Sequence, residues 1–306
     1  MTLSTTVNKV IRRLKTLPDA NLQIRDPLDA ACHRLDKKGL LHRYRNNYFP
    51  RRNEMIAAVL KEIQTTGQWN EATVDTPLFS KCDERVVEYP FVANEIVQHT
   101  KSGKIDVADV GCVLNNPLMA EILKGRVNWT WFFNASIEPP SIRGNVAYLE
   151  ADIRQTDIYE RLQFPLVTCL STLEHIGMDN TRYGGTRQEF DSPPADPEKF
   201  AIQGLETVAK FVRPGGTLIV SVPYGPFEYV QSAYDPGPVI YYVFDRPRIE
   251  AMMNSLKEFQ VEPHLFKVVP GKGWVRTDLS DSSLLRLGHG ISSSGGVAIL
   301  KGIKRS

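Results

Sequence analysis

The chain has 306 residues, of which 42% are hydrophobic and 24% are charged, which suits one large globular domain with an appendage or two small domains. The formal net charge is +2, no apolar run is long enough to span a membrane, and the opening MTLSTTVNKVIRRLKTL lacks the apolar core of a signal peptide. The four cysteines are far apart and form no CxxC pair, which argues against a disulfide framework or a zinc site, so we expect a cytoplasmic protein with reduced thiols.

The first part of the chain is strongly basic. Residues 1–52 hold 12 Lys and Arg against 4 Asp and Glu, a balance of +8, while the remainder holds 25 against 31, a balance of −6. Apolar spacing predicts helices over 3–16 and 53–64, and an Asp-Pro start predicts another from Asp26. We interpret residues 1–84 as a basic helical extension, which has either an anionic partner or a solvated charged face.

From about residue 85, short apolar runs alternate with helical patterns. This alternation predicts a mostly parallel sheet covered by helices on both faces. Two long aromatic-rich segments, 177–197 and 223–245, interrupt it, and loops of that length in a compact domain are usually lids or binding loops. The predicted strands cover 105–110, 129–133, 146–149, 166–170, 217–222 and 296–300, and the clearest helices cover 196–211 and 246–259.

The stretch DVGCVLNN, Asp109 to Asn116, lies between a predicted strand and a helix start at Pro117. A strand, a tight turn and a helix form the usual cradle for a nucleotide-like cofactor. Dinucleotide loops need several glycines to approach a pyrophosphate, and this turn has only Gly111, so NAD and FAD are disfavoured. S-adenosylmethionine carries no phosphate and needs one close backbone approach, which Gly111 allows.

Four segments occur in an informative order: ADVGCVLNN, LEADI, VTCLSTLEHIG and FVRPGGTLIVSVPYG. Together they resemble the class I S-adenosylmethionine-dependent methyltransferases over about residues 85–303. The stretches RVVEYPFV and STLEHIGMDNTRYGG further resemble methyltransferase-like proteins of bacterial surface-polysaccharide gene clusters. The resemblance implies an α/β fold for residues 85–306: a Rossmann-like, seven-stranded, mostly parallel sheet flanked by helices. The last strand would be antiparallel, and S-adenosylmethionine would bind at the carboxyl ends of the first strands.

The resemblance also assigns cofactor-binding residues. The acidic residue that such proteins carry at the end of strand two, for the ribose hydroxyls, has no obvious counterpart here, because Asn134 or Ser136 lies near that place and Glu138 is the nearest acid. The implied cofactor-binding set is Asp109, Gly111 and Cys112 in the first turn, Glu138 beyond strand two, Asp152 and Ile153 after strand three, and Leu170 and Ser171 at strand four.

Methyl transfer from a sulfonium is an in-line displacement, and a hydroxyl acceptor must also lose its proton. His175 follows strand four and is a candidate general base, with Glu174 beside it to hold one tautomer or line the cofactor. In an alternative interpretation, His175 merely lines the pocket or caps a helix. A divalent metal held by Glu174, His175 and Asp179 is a further alternative, but we predict no metal site.

The two long segments supply the candidate acceptor site, with Arg182, Tyr183 and Tyr224 as predicted substrate-binding residues. Aromatic rings interspersed with amides and arginines suit a sugar, so we predict O-methylation of a nucleotide-linked or glycan sugar. One rival hypothesis is a catalytically silent fold that acts as a binding or scaffold protein. Another is an RNA-modifying enzyme that uses RYRNNYFPRR, residues 43–52, where aromatics interleave with arginines. The sequence indicates no particular oligomeric state.

Overall fold

The computed structural model describes residues 42–135, 140–153, 162–178, 196–231, 239–281 and 295–306. The helices predicted over 3–16 and from Asp26 lie outside these residues, as does most of the basic segment. Among the helices in the described ranges, none combines the length and the apolar character needed to cross a bilayer.

The centre of the fold is β structure. The described strands are β1 (Ile105–Val110), β2 (Val127–Asn134), β3 (Val146–Glu150), β4 (Phe164–Leu170), β5 (Val212–Tyr224), β6 (Glu228–Gln231), β7 (Val239–Val243), β8 (Phe259–Val269), β9 (Gly273–Thr277) and β10 (Gly296–Lys304). Eight of them form one sheet in the order β3-β2-β1-β4-β5-β10-β8-β9, and β6 and β7 form a separate hairpin.

Most neighbouring strands of the large sheet are parallel. Strands β1 to β5 run in one direction, whereas β10 is antiparallel to both of its neighbours, β5 and β8. The Rossmann-like class and the antiparallel last strand are therefore as predicted. The strand number is not, because β9 pairs with β8 at the edge and brings the described sheet to eight strands where seven were expected.

Five α-helices of the described residues pack around the sheet. Three begin with the same local signal, an Asn or Asp side chain that accepts a backbone N–H next to a proline in the first turn; these caps are Asn116, Asp196 and Asp245. The helices are α1 (His42–Thr66), α2 (Arg85–His99), α3 (Pro117–Leu123), α4 (Pro197–Lys210) and α5 (Arg246–Ser255).

Helix α5 ends earlier than the predicted 246–259, because the chain turns after Ser255 and enters β8 at Phe259. The hairpin β6–β7 lies within the segment predicted to be an irregular loop.

The N-terminal segment contributes to the core. Ile56 and Ile63 of α1 are fully buried in the same hydrophobic cluster as Val92 of α2 and Trp274 of β9. The Trp274 indole N–H donates to the carbonyl oxygen of Cys82 at 3.1 Å. The packing thus crosses the boundary predicted at residue 84, and the described part of the predicted extension is built into the domain.

Candidate functional site

The strand order reverses between β1 and β4. The chain passes from β1 through β2 to β3 on one side, and then returns to place β4 on the other side of β1. In open α/β sheets, the crevice outside the carboxyl ends of the strands at such a switch point is the usual ligand site. Two segments leave the sheet there, residues 111–116 after β1 and residues 171–178 after β4.

Buried polar contacts shape the turn after β1. Gly111 has φ +95° and donates its N–H to the carbonyl oxygen of Phe133 at 2.8 Å. Asp109 is fully buried, and its two carboxylate oxygens accept from the Leu114 N–H and the Thr168 hydroxyl, each at 2.7 Å. Asp109, predicted as a cofactor residue, therefore fixes the shape of the turn from beneath.

Gly111 is also required by packing within the protein. A β-carbon added there would lie 2.9 Å from the Cβ of Thr172, in the segment after β4. The sequence suggested that Gly111 leaves room for a cofactor, whereas the structure places Thr172 on the side where a side chain would project. The two segments that border the crevice are thus in direct contact.

The turn after β4 has an unusual backbone. Ser171 has φ +40°, and it and Cys112 (φ +57°) are the two non-glycine residues with positive φ in the described part of the chain. Both lie at the carboxyl ends of β1 and β4, beside the switch point, and strained backbone of this kind clusters at functional sites. The Ser171 N–H donates to the backbone carbonyl and the hydroxyl oxygen of Ser221 in β5, at 2.9 and 3.0 Å.

A glutamate from α2 reaches this turn. Glu88 is fully buried, and its Oε1 accepts from the Ser171 hydroxyl at 2.6 Å and from the Ser221 hydroxyl at 2.5 Å. Its other oxygen forms an ion pair with Arg85, whose side chain is 21% exposed. Sequence reasoning missed Glu88 as a functional residue, although a lone glutamate inside the apolar run VVEYPFV was a usable signal.

Glu174 and His175 lie together in a short 3₁₀-helix, Leu173–His175. Glu174 is 3% exposed, and within the described residues its Oε2 has no hydrogen-bond partner. Burial holds the pKa of Glu174 well above its ordinary value, and the nearby Glu88 carboxylate acts in the same direction. The half-buried His175 places its ring 5.9 Å from the Tyr241 ring of β7, edge to face.

Four other predicted residues occupy different environments. Asp152 and Ile153 follow β3 and are half-buried, and Ile153 packs against the hydrophobic core. Leu170 is fully buried in the core at the end of β4. Tyr224 is 3% exposed and donates its hydroxyl to the Leu279 carbonyl at 3.1 Å, so this hydroxyl is already paired inside the protein.

Asn134 ends β2, where an acidic residue was sought, and its Oδ1 accepts from the Ala135 N–H at 3.0 Å. Glu138, Asp179, Arg182 and Tyr183 lie outside the described residues. In the ranges that the structure covers, no three His, Cys, Asp or Glu side chains are grouped to hold a metal ion.

Asn115 ties the first turn to β3, which is separated from β1 by β2 in the sheet. Its side-chain oxygen accepts from the Ser141 N–H at 2.7 Å and from the Tyr148 hydroxyl of β3 at 2.9 Å. The turn after β1 is therefore anchored on both sides, by Asp109 beneath it and by β3 beside it. This rigidity is what a preformed ligand crevice requires.

Comparisons with known proteins give only distant likenesses. No protein-family model and no curated protein sequence matches the chain. The chain is similar to the solved structure of the N-methyltransferase NodS from Bradyrhizobium japonicum WM9 with S-adenosylhomocysteine, at 10% identity over 71% of this chain and 87% of that one, with a TM-score of 0.38.

Two further solved structures are similar at the same level. The sugar N-methyltransferase KedS8 from Streptoalloteichus sp ATCC 53650 has 13% identity over 71% of this chain and 86% of that one, with a TM-score of 0.40. The 1,6-didemethyltoxoflavin-N1-methyltransferase from Burkholderia thailandensis has 14% identity over 90% and 89%, with a TM-score of 0.41. At these identities and TM-scores, the likenesses carry neither a substrate nor a mechanism to this chain.

Proposed function

We propose that the chain is a class I S-adenosylmethionine-dependent methyltransferase. One observation carries the proposal: the strand order reverses between β1 and β4, and the turns at Gly111 and Ser171 meet at the carboxyl edge of that switch point. The four sequence segments that resemble this family include both of these turns. The antiparallel β10 between β5 and β8 is a further feature that the resemblance implies.

The side chains at the crevice fit this cofactor. The buried Glu174 oxygen that lacks a hydrogen-bond partner among the described residues suits a ligand that donates a hydrogen bond, as the cofactor's amino group can. Asp152 after β3 would meet the adenine amine, and Asn134 at the end of β2 would meet the ribose. Glu138 remains our proposed acidic partner for the ribose hydroxyls.

In the proposed reaction, the bound cofactor supplies a methyl group on a sulfonium, which is a good leaving group. The chain aligns the acceptor oxygen with that methyl group and excludes water from the crevice. His175 would take the proton of the acceptor hydroxyl on a ring nitrogen, which would make that oxygen a better nucleophile towards the methyl group. The edge-to-face contact with Tyr241 restrains the orientation of this imidazole.

We propose a sugar as the acceptor, nucleotide-linked or part of a surface glycan, methylated at oxygen. The support is a pair of half-buried aromatic rings at the β6–β7 hairpin: Phe227 and Tyr229 have ring centroids 5.3 Å apart and pack against the fully buried Tyr242. Sugars stack on aromatic faces and hydrogen-bond through their hydroxyls. Arg182 and Tyr183 are the proposed polar contacts. We propose a cytoplasmic location, which the wide spacing of the four cysteines in the sequence favours.

The first prediction is that the full chain binds S-adenosylhomocysteine and does not bind NAD. The reason is that the turn after β1 has one glycine and lacks the backbone room for a pyrophosphate. Isothermal titration calorimetry and thermal shift with both ligands check it. If S-adenosylhomocysteine gives neither heat nor a thermal shift at millimolar concentration, the function is wrong. Tight binding without turnover on any sugar nucleotide would favour the silent scaffold.

A further inference from the structure

We infer that Glu88 is a positioning residue of the proposed cofactor site: from helix α2, it holds Ser171 in its left-handed conformation and thereby fixes the crevice between β1 and β4. This inference rests on the proposed function. It concerns a residue that precedes the sheet in the chain, and that no part of the sequence resemblance assigns to cofactor binding.

One carboxylate oxygen of Glu88 accepts hydrogen bonds from residues at two neighbouring strands. Glu88 lies 83 residues before Ser171 and 133 residues before Ser221, and one carboxylate oxygen accepts both hydroxyls, at 2.6 and 2.5 Å. Ser171 ends the β4 side of the crevice and Ser221 lies in β5. The carboxylate therefore connects the ends of two adjacent strands to a helix on one face of the sheet.

A left-handed serine needs such support. A non-glycine residue at φ +40° is strained and persists only where its surroundings impose that conformation. The hydroxyl of Ser171 is fixed by Glu88, and its N–H is fixed by Ser221. Releasing the hydroxyl would leave only the backbone side of the residue restrained.

The charge of Glu88 makes the contact strong. Its side chain is fully buried, and a carboxylate in that position must be matched by a cation and by hydrogen-bond donors. Arg85 supplies the cation and the two serines supply the donors. A neutral side chain of the same shape would accept more weakly and would leave Arg85 without its partner.

The turn controls the groups that would meet the ligand. Thr172 follows Ser171 and lies in the direction in which a side chain at Gly111 would project. Glu174 and His175 follow two and three residues after Thr172, in a 3₁₀-helix. A change in the Ser171 backbone would therefore move Thr172 relative to the first turn and displace both candidate catalytic side chains.

The test is Glu88→Gln in two backgrounds, with S-adenosylhomocysteine affinity measured by calorimetry on the full chain. With Ser171 present, we expect an affinity loss of about tenfold, equivalent to about 1.4 kcal/mol. In the Ser171→Gly background, the additional loss from Glu88→Gln should be under about twofold, because glycine adopts positive φ without help. The matched control is Glu95→Gln, a buried glutamate on the same helix that pairs with Lys301 at 2.9 Å and should leave affinity unchanged.

Each outcome decides the inference. Equal losses in both backgrounds, or no loss with Ser171 present in a folded variant, would overturn it. If Glu95→Gln lowers the affinity for S-adenosylhomocysteine as much as Glu88→Gln does, the loss comes from general destabilisation of the fold, and the inference fails. If the parent chain binds no S-adenosylhomocysteine, the proposed function fails and the ligand role fails with it. Hydrogen exchange at Ser171 and Thr172, faster in Glu88→Gln than in Glu95→Gln, would then still show whether Glu88 holds the turn.

Discussion

His175 lies in the segment after β4, where its ring meets Tyr241, and it is our proposed base for the acceptor hydroxyl. We predict that His175→Ala lowers kcat by about 10²- to 10⁴-fold, the usual contribution of a positioned base. The affinity for S-adenosylhomocysteine should change little, because the predicted role concerns the acceptor proton. Steady-state kinetics and calorimetry on the same preparation check both parts.

Tyr241→Leu is the companion variant for His175, because it removes the ring contact and keeps an apolar side chain. It should lower kcat less than His175→Ala does. A parallel loss of cofactor affinity and rate in His175→Ala would contradict the prediction and make His175 a pocket-lining residue. Glu174 would then be the next candidate, since a buried carboxyl group with a raised pKa is a plausible acid or base.

Gly111 carries two separate constraints, a positive φ and the proximity of Thr172. We predict that Gly111→Ala lowers the free energy of unfolding by about 2–5 kcal/mol, the sum of left-handed strain and overpacking. Gly67→Ala separates the two terms, because Gly67 has φ +77° with no atom within 4 Å of the added carbon. It should cost only about 1–2 kcal/mol.

Urea denaturation of the two glycine variants gives the comparison. Equal losses in the free energy of unfolding would show that Thr172 moves aside without destabilising the fold, and that the positive φ alone accounts for the effect at Gly111. An excess cost at Gly111, together with weakened S-adenosylhomocysteine binding in the folded variant, is the expected result.

At the scale of elements, helix α1, at the start of the described residues, packs into the core. Ile63 is fully buried in the cluster that also contains α2 and β9. We predict that Ile63→Ala lowers the free energy of unfolding by about 2–5 kcal/mol, as large-to-small core substitutions do. Lys61→Ala, on the exposed side of the same helix, should change it by less than about 0.5 kcal/mol. A small effect of Ile63→Ala would show that α1 contributes little to the stability of the domain and would support its interpretation as an extension.

Local signals allowed some elements to be predicted from the sequence. Asn116, Asp196 and Asp245 are each followed within two residues by a proline at a helix start, so the beginnings of α3, α4 and α5 follow from neighbouring residues. The strand Ile105–Val110 was predicted with its observed bounds because its apolar run ends in a glycine turn. These signals need no information from distant parts of the chain.

Other features depend on distant partners and could not be predicted in this way. Helix α2 contains Pro90, which reads locally as a helix breaker. The role of Glu88 depends on two serines that lie 83 and 133 residues away. The burial of α1 depends on β9, whose Trp274 donates to the carbonyl of Cys82, 192 residues earlier. Composition and spacing carry no information about such contacts.

At the scale of the whole molecule, the sheet separates two hydrophobic clusters. One contains α1 and α2 and the other contains α4 and α5. Polar side chains lie at the carboxyl ends of β4 and β5, where Glu88 accepts hydrogen bonds from Ser171 and Ser221. Acidic residues approach this edge from the α2 side (Glu84 and Glu88) and from the segment after β4 (Glu174), with Arg85 as the neighbouring cation. The stability of the fold is therefore linked to pH through this edge.

The last prediction concerns Glu84, the residue that precedes α2. Its Oε2 is buried and, in the described part of the chain, has no hydrogen-bond partner. Burial raises the pKa of Glu84 to about 8 from 4.5, and the carboxylates of Asp83 and Glu88 add to the rise, while Arg85 opposes it. Between these two values, the unfolded chain has lost the proton that the folded chain retains. The unfolded state then binds fewer protons, so stability must fall as pH rises through this window, by at most about 1.4 kcal/mol per pH unit.

We therefore predict that Glu84→Gln, which removes the titration, gains stability relative to the parent as pH rises from 5 to 8, and that the gain levels off above that range. Urea denaturation at half-unit intervals of pH gives the difference directly. The substitution sacrifices no helix cap, because the Glu84 side chain makes no capping hydrogen bond to α2. Glu54→Gln, at an exposed position of α1, is the matched control, and its difference from the parent should not grow with pH. A Glu84→Gln difference that stays constant across the window would show that Glu84 ionises in the folded protein as it does in the unfolded chain, and that the acidic edge of the crevice is charged at neutral pH.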